Sequence, residues 1–263
     1  MRTMKSRLLL IRNSAEGAIA KAESIYEAML GNSNNISQGN FTKIEVTDLE
    51  ILFALYDELF FFGLLQELLR KEKRGKLNFR LSKRMTRAGG KTTRIHRGKH
   101  KARIPCEIPV YEIAISVPLL FQSFTDVKRP ITINGRVCKD RLEALQRIFE
   151  HELIHILELL LWGKSSCFQP NFRSLVQQIF AHTDVTHQMV TQSERALVNF
   201  GIKIGDRVRF QDDGEELSGF VNRITKRATI LVKNEKGIPY SDGKRYVKYY
   251  VPISRLRISK STK

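Results

Sequence analysis

Cysteine is scarce in this chain. Only Cys106, Cys138 and Cys167 occur among 263 residues, an odd number with no C-x-x-C spacing. A disulfide framework is therefore not expected, and the pattern reads as that of a chain kept in a reducing, cytoplasmic setting. Long apolar runs are missing too. The most apolar window, Leu153 to Trp162, falls well short of the ~18–20 residues that a membrane span needs, so no membrane partner is expected. At the N-terminus, Leu8 to Ile11 is too short a core for a secretory signal. Acidic residues are also in deficit: 27 Asp and Glu stand against 45 Lys and Arg, a net charge of +18. Such a field attracts polyanions, nucleic acid first among them. The deficit is sharpest between Arg70 and Arg103, where Glu72 is the only acid.

Histidine, though rare, occurs in one telling arrangement. His151-Glu152-Leu153-Ile154-His155 places two imidazoles four residues apart inside an apolar run. On a helix, that spacing puts both on one face, able to reach one metal ion, with Glu152 beside them. This is the short motif of zinc hydrolases, and the competing reading is a pair of core histidines flanking a glutamate. The surroundings predict the helix. Asp140 and Glu143 have capping spacing, apolar periodicity runs from Arg141 to Trp162, and Gly163 stops it. At about 100° per residue, Ala144, Ile148, His151, His155, Glu158 and Trp162 share one stripe. Two imidazoles buried without partners would cost free energy that one metal ion relieves.

The rest of the chain reads as mixed α+β. A helix is expected over residues 14–30, capped by Asn13 with Glu16, followed by a polar linker from Ser33 to Asn40. Thr47 and Glu50 form a second capping box, opening a buried helix that ends at Gly63 or runs on to Leu69. Leu77 to Ser82 alternates apolar and polar residues, Ala88-Gly89-Gly90 is a turn, and Lys91 to Arg97 can pair back as a two-strand ribbon. Its basic face, with Arg80, Lys83, Arg84, Arg87, Lys91, Arg94 and Arg97, is a candidate nucleic-acid surface. Tyr111 to Val117 is a strand, Asn134-Gly135 a hairpin turn, and Asn171 to Ala181 a helix. From Gly201 onward, short strands at close spacing suggest a small barrel of SH3-like or KOW type. There Arg223, Lys226, Arg227, Lys244 and Arg245 interleave with Tyr246, Tyr249 and Tyr250 as a second nucleic-acid surface. The expected domains are a helical extension with linker (1–40), a catalytic domain (41–195) and the barrel (196–263).

The order of these segments is more specific than the five-residue motif. Leu52-Phe53 to Gly63, Phe79-Arg80-Leu81-Ser82 to Gly89-Gly90, Tyr111-Glu112-Ile113-Ala114-Ile115-Ser116 and His151-Glu152-Leu153-Ile154-His155 together resemble the SprT-like (Spartan-type) metalloprotease domain. The likeness covers roughly residues 45–190. It implies a zincin-like fold and a zinc-dependent, DNA-associated protease, the best-studied relatives of which cleave proteins crosslinked to DNA. It carries His151 and His155 over as Zn2+ ligands and Glu152 as the catalytic glutamate. One departure stands out. The family draws its third ligand from a His-Gly-x-x-Phe or His-Gly-x-x-Trp segment, and here Phe168 occupies the histidine position of Phe168-Gln169-Pro170-Asn171-Phe172. Cys167 is the favoured replacement, with His182 and Glu158 as alternatives. A peptide substrate would add as an extended strand beside Tyr111–Val117. The rival expectation is a non-catalytic nucleic-acid-binding protein with a degenerate or structural metal site.

Overall fold

The computed structural model describes residues 4–71, 75–95 and 109–259. They form a mixed α+β structure in two compact units, one up to Met189 and one from Val190. Among the described residues, no helix is long and apolar enough to cross a membrane. Arg97, and with it the end of the expected ribbon, lies outside the described residues.

The first unit begins with α1 (Met4–Leu9), α2 (Ala15–Asn32), α3 (Val46–Phe61) and α4 (Leu64–Lys71). The caps differ from expectation, and the reason is tertiary. Asn13 is drawn into long-range contacts, donating to the Ile179 carbonyl (2.8 Å) and accepting from Lys21 (2.7 Å). Ser14 caps α2 in its place, accepting from Gly17 N–H, and the helix passes through Gly31 to Asn32. At α3, the box is formed by Glu45 and Asp48 rather than Thr47 and Glu50, with Glu45 N–H donating to Asp48 at 2.6 Å. Asp48 also accepts from Ser33 and Asn35, which pins the polar linker to the helix start. Phe62 turns left-handed (φ 57°) and ends α3, and the buried Asp57 carboxylate accepts from Leu65 and Gln66 N–H at the start of α4.

The strands β1 (Lys76–Ser82), β2 (Gly90–Ile95) and β3 (Val110–Ser116) form one sheet in the order β1-β3-β2. β3 runs parallel to β1 and antiparallel to β2. The expected β1–β2 ribbon is thus not formed, because β3 inserts between them. Tyr111, Ile113, Ala114 and Ile115 are all buried, and the most apolar strand takes the centre. The charge-bearing strands take the edges, where their side chains stay hydrated. The same arrangement overturns the expectation that a peptide adds beside Tyr111–Val117, because that strand is already paired on both sides.

α5 (Val117–Gln122), the hairpin β4 (Ile131–Ile133) and β5 (Arg136–Cys138), α6 (Arg141–Trp162) and α7 (Pro170–Phe180) complete this unit. The β4–β5 turn is Asn134-Gly135, both at positive φ (53° and 81°), as such tight hairpins require. α6 is the central helix. Asp140 accepts from Glu143 N–H (2.9 Å) at its start, and Gly163 ends it left-handed, both as the pattern predicts. Along its length it packs against β2, β3, α2, α5 and α7.

The second unit opens with a helix that the sequence pattern did not reveal, α8 (Gln192–Phe200), capped by Thr191. The strands β6 (Arg207–Asp212), β7 (Glu215–Ile224), β8 (Ala228–Pro239), β9 (Arg245–Val251) and β10 (Arg257–Ile258) follow. They pair antiparallel in the order β10-β6-β7-β8-β9. Val208, Phe210, Val221, Ile230 and Val251 point to one side and pack with Ala196, Ile202 and Leu256 as a small core. The expected barrel closure is not found among the described residues. β10 is two residues long and pairs only with β6, so the sheet stays open between β9 and β10.

Candidate metal centre and catalytic carboxylate

His151 and His155 lie one turn apart on α6, with their Nε2 atoms 3.2 Å from each other. For two imidazoles on a tetrahedral zinc, at ~2.0–2.1 Å each, the expected separation is about 3.3 Å. The Cys167 thiol, on the α6–α7 loop, completes a group of three ligand atoms all within 4.8 Å of one another. The donor set therefore fits a zinc ion, with soft sulfur and two neutral nitrogens. Burial keeps both rings neutral, pushing His151 down to about 3, with His155 adding to the effect, and His155 down to about 4. Their lone pairs stay available for a metal. The Phe172 ring of α7 packs against both imidazoles at 4.5–4.8 Å between centroids.

The orientation of His155 is set by a relay. Ser165 Oγ–H donates to Glu158 Oε2, so the Ser165 oxygen accepts from the His155 Nδ1–H, 2.7 Å away. Nδ1 thereby keeps the proton and Nε2 is left with its lone pair. Glu158 also accepts from Ser166 N–H (3.2 Å) and is buried. Glu158, one of the alternative third ligands, is consequently a partner of a partner, with Ser165 between it and the histidine.

His182, the other alternative, is placed elsewhere. Its Nε2 lies 2.6 Å from Glu150 Oε2 in a fully buried network in which Glu150 also accepts from Tyr56 Oη–H and Arg147, both at 2.7 Å. His182 is absent from the ligand group, and its Nδ1 is buried with no hydrogen-bond partner.

Glu152 packs directly on β2 and lines, with it, a pocket of about 260 Å3 whose lining also includes His151, His155, Cys167, Gly90, Thr92 and His187. Thr92 Oγ–H donates to Glu152 Oε2 at 2.7 Å. Burial pushes this carboxyl up to about 7, while the Thr92 hydrogen bond works the other way. A carboxyl poised near neutrality can both take and return a proton. Gly90 is what allows the approach: a Cβ there would sit 2.5 Å from Glu152 Oε1. His187 Nε2 accepts from Gly89 N–H (3.2 Å), tying the segment after α7 to the start of β2. Thr92, Ser165 and His187 all escaped the sequence reading. Their roles depend on contacts across 60, 10 and 98 residues that periodicity does not report.

The basic residues are dispersed. Arg80 is paired with Glu112 (2.9 Å). Lys83, Arg84 and Arg87 are exposed on the loop after β1, while Lys91 and Arg94 are exposed on β2 but on opposite faces. In the second unit, Arg223, Lys226 and Arg227 cluster at the β7–β8 turn, and Lys244 and Arg245 lie at the far end of the sheet by the β8–β9 turn. Tyr249 faces the small core and Tyr246 is buried, so of the three tyrosines only Tyr250 is freely exposed.

Residues 49–193, more than half of the chain and spanning α3 to the ligand group and beyond, match the family model described as SprT-like. The chain belongs to the SprT-like family. Neither curated proteins nor solved structures give a significant match. Within this SprT-like region lie His151, Glu152, His155 and Cys167. At the family's histidine position, Phe168 is 83% exposed and outside the ligand group, while Cys167 beside it is inside.

Proposed function

We propose that this SprT-like protein is a zincin-like, zinc-dependent protease that hydrolyses peptide bonds in proteins bound or crosslinked to nucleic acid, DNA in particular. The observation that carries the reading is the His151–His155–Cys167 group beside a buried, near-neutral Glu152. When bound, zinc would supply a water of lowered pKa and polarise the scissile carbonyl. Among the described residues the group has three members, the number used by catalytic zinc sites, whereas structural sites use four. This favours catalysis over a purely structural metal.

Glu152 takes the proton of the attacking water and delivers it to the leaving amine. Thr92 holds the carboxylate toward the pocket, and Gly90 leaves it room. With β3 in the sheet centre, β1 and β2 are the edges, and β2 is the one beside the site, because its Gly90, Lys91 and Thr92 line the pocket where an extended peptide would add. The net charge of +18 supports nucleic acid as the scaffold that brings substrate near.

The test is hydrolysis of an unfolded protein by the purified chain, with and without single- and double-stranded DNA. Cleavage is expected to vanish on chelation, to return with zinc and to rise with DNA. Cleavage indifferent to chelation, or none in the zinc-loaded protein, would contradict the proposal.

A further inference from the structure

The register of the C-terminal sheet separates its two faces. Arg207, Phe220, Leu231 and Lys248 stand side by side in one row across β6, β7, β8 and β9. One step along, Arg223, Thr229 and Tyr250 form the next row. On the other side of the first row, Arg209 pairs in register with Ser218 and with Arg257 of β10. Residues directly opposite one another in a sheet project to the same face. This face is the one turned away from the small core, which takes Val208, Val221, Ile230 and Tyr249 from the alternate positions. Contacts within the face agree: Arg207 donates to Ser218 (3.2 Å), and Arg209 pairs with Glu216 (3.4 Å).

The result is a platform with a cation on each of its five strands, β8 contributing the exposed Lys233 two residues beyond the buried Leu231. Glu216 is the acid on it, and that acid is already engaged by Arg209. Two aromatic rings stand among the cations instead of inside the core. Phe220 is 47% exposed and Tyr250 is 64% exposed. They sit on strands flanking β8, about 10 Å apart across the sheet. Exposing two large rings on a hydrated face loses burial free energy that the core positions would have gained. Arginines alone would serve a duplex, whose stacked bases are not accessible to such rings. Rings between cations suit a polyanion with free base faces.

We infer that this outer face binds single-stranded nucleic acid, with Phe220 and Tyr250 stacking on bases and Arg207, Arg209, Arg223, Lys248 and Arg257 following the phosphates. The inference rests on the nucleic-acid half of the proposed function and is independent of the metal centre. It also relocates the binding surface: Lys244, Arg245 and Tyr249 are not part of it, and Tyr246, though on the same face opposite Lys233, is buried and donates to Asp242 (2.7 Å).

The test is fluorescence anisotropy with labelled dT20, the matching duplex and phosphatidylserine vesicles as competitor, using the full chain. The wild type is expected to prefer the single strand. Phe220→Ser with Tyr250→Ser should raise Kd at least about tenfold with an unchanged salt dependence and thermal midpoint. Arg207→Ala with Arg209→Ala should lower the slope of log K against log salt by about 1.4. A double aromatic variant that melts normally and binds dT20 as tightly as wild type would overturn the inference. So would a wild type that prefers the duplex, or one that leaves the oligonucleotide for vesicles. Protease activity is not read in this experiment, so loss of cleavage and loss of binding are separable.

Discussion

Glu152→Gln is expected to lower peptide hydrolysis by ~10²–10⁴-fold without loss of zinc or of fold. The substitution is close to isosteric. The amide oxygen still accepts from Thr92, and the clearance over Gly90 is unchanged. What disappears is the ability to take a proton from water and return it, worth about 3–5 kcal/mol of barrier at that rate loss. The group lost is one that burial has already raised to about 7, where a proton can be both gained and given near neutral pH. Comparing kcat/KM for the two zinc-loaded proteins measures it. Equal rates would remove Glu152 from the chemistry.

The largest effect on stability is expected at the opposite side of α6. Glu150 is fully buried and accepts from Tyr56, Arg147 and His182. Burial alone would raise its pKa, but Arg147 first, then His182 and Tyr56, outweigh it and hold the carboxylate ionised. Glu150→Ala leaves the buried Arg147 cation uncompensated and two further polar groups unpaired. A loss of about 3–5 kcal/mol follows, a large share of the ~5–15 kcal/mol a domain has. Denaturant unfolding of the variant measures it, and a change below about 1 kcal/mol would contradict the network's role. The same network has a pH signature. Burial lowers the pKa of His182 from its ordinary 6.5, so on acidification the unfolded chain takes a proton that the folded chain refuses. This contribution lowers stability as pH falls below about 6.5. His182→Gln should flatten that slope by up to about 1.4 kcal/mol per pH unit.

The parts of this architecture that local chemistry dictates could be read directly from the residues. Asp140 with Glu143, the i and i+4 histidines and Gly163 specify α6 within a span of two dozen residues, and Asn134-Gly135 specifies its hairpin. What depends on distant partners was not legible. The order β1-β3-β2 follows from which strand is most apolar on both faces, a comparison among segments far apart in the chain. Asn13 loses its capping role to a carbonyl of α7. α8 carried a usable signal, Thr191 three residues before Glu194, yet its exposed Leu197, Val198 and Phe200 blur the helical periodicity. Tyr249 and Tyr250 differ in their surroundings only through strand register, so one belongs to the core and the other to the surface. At the site, the histidines and Glu152 were evident from spacing. Cys167 was one of three ligand candidates, and its separation from Glu158 and His182 required knowing that Ser165 and Glu150 engage those two.

The ligand group is the centre of the account, and X-ray absorption at the zinc edge of the zinc-loaded protein tests it most directly. The predicted shell holds one sulfur at ~2.3 Å and two imidazole nitrogens at ~2.0–2.1 Å, and the sulfur is lost in Cys167→Ser. A shell of nitrogen and oxygen alone in the wild type, or a sulfur that persists in Cys167→Ser, would contradict it.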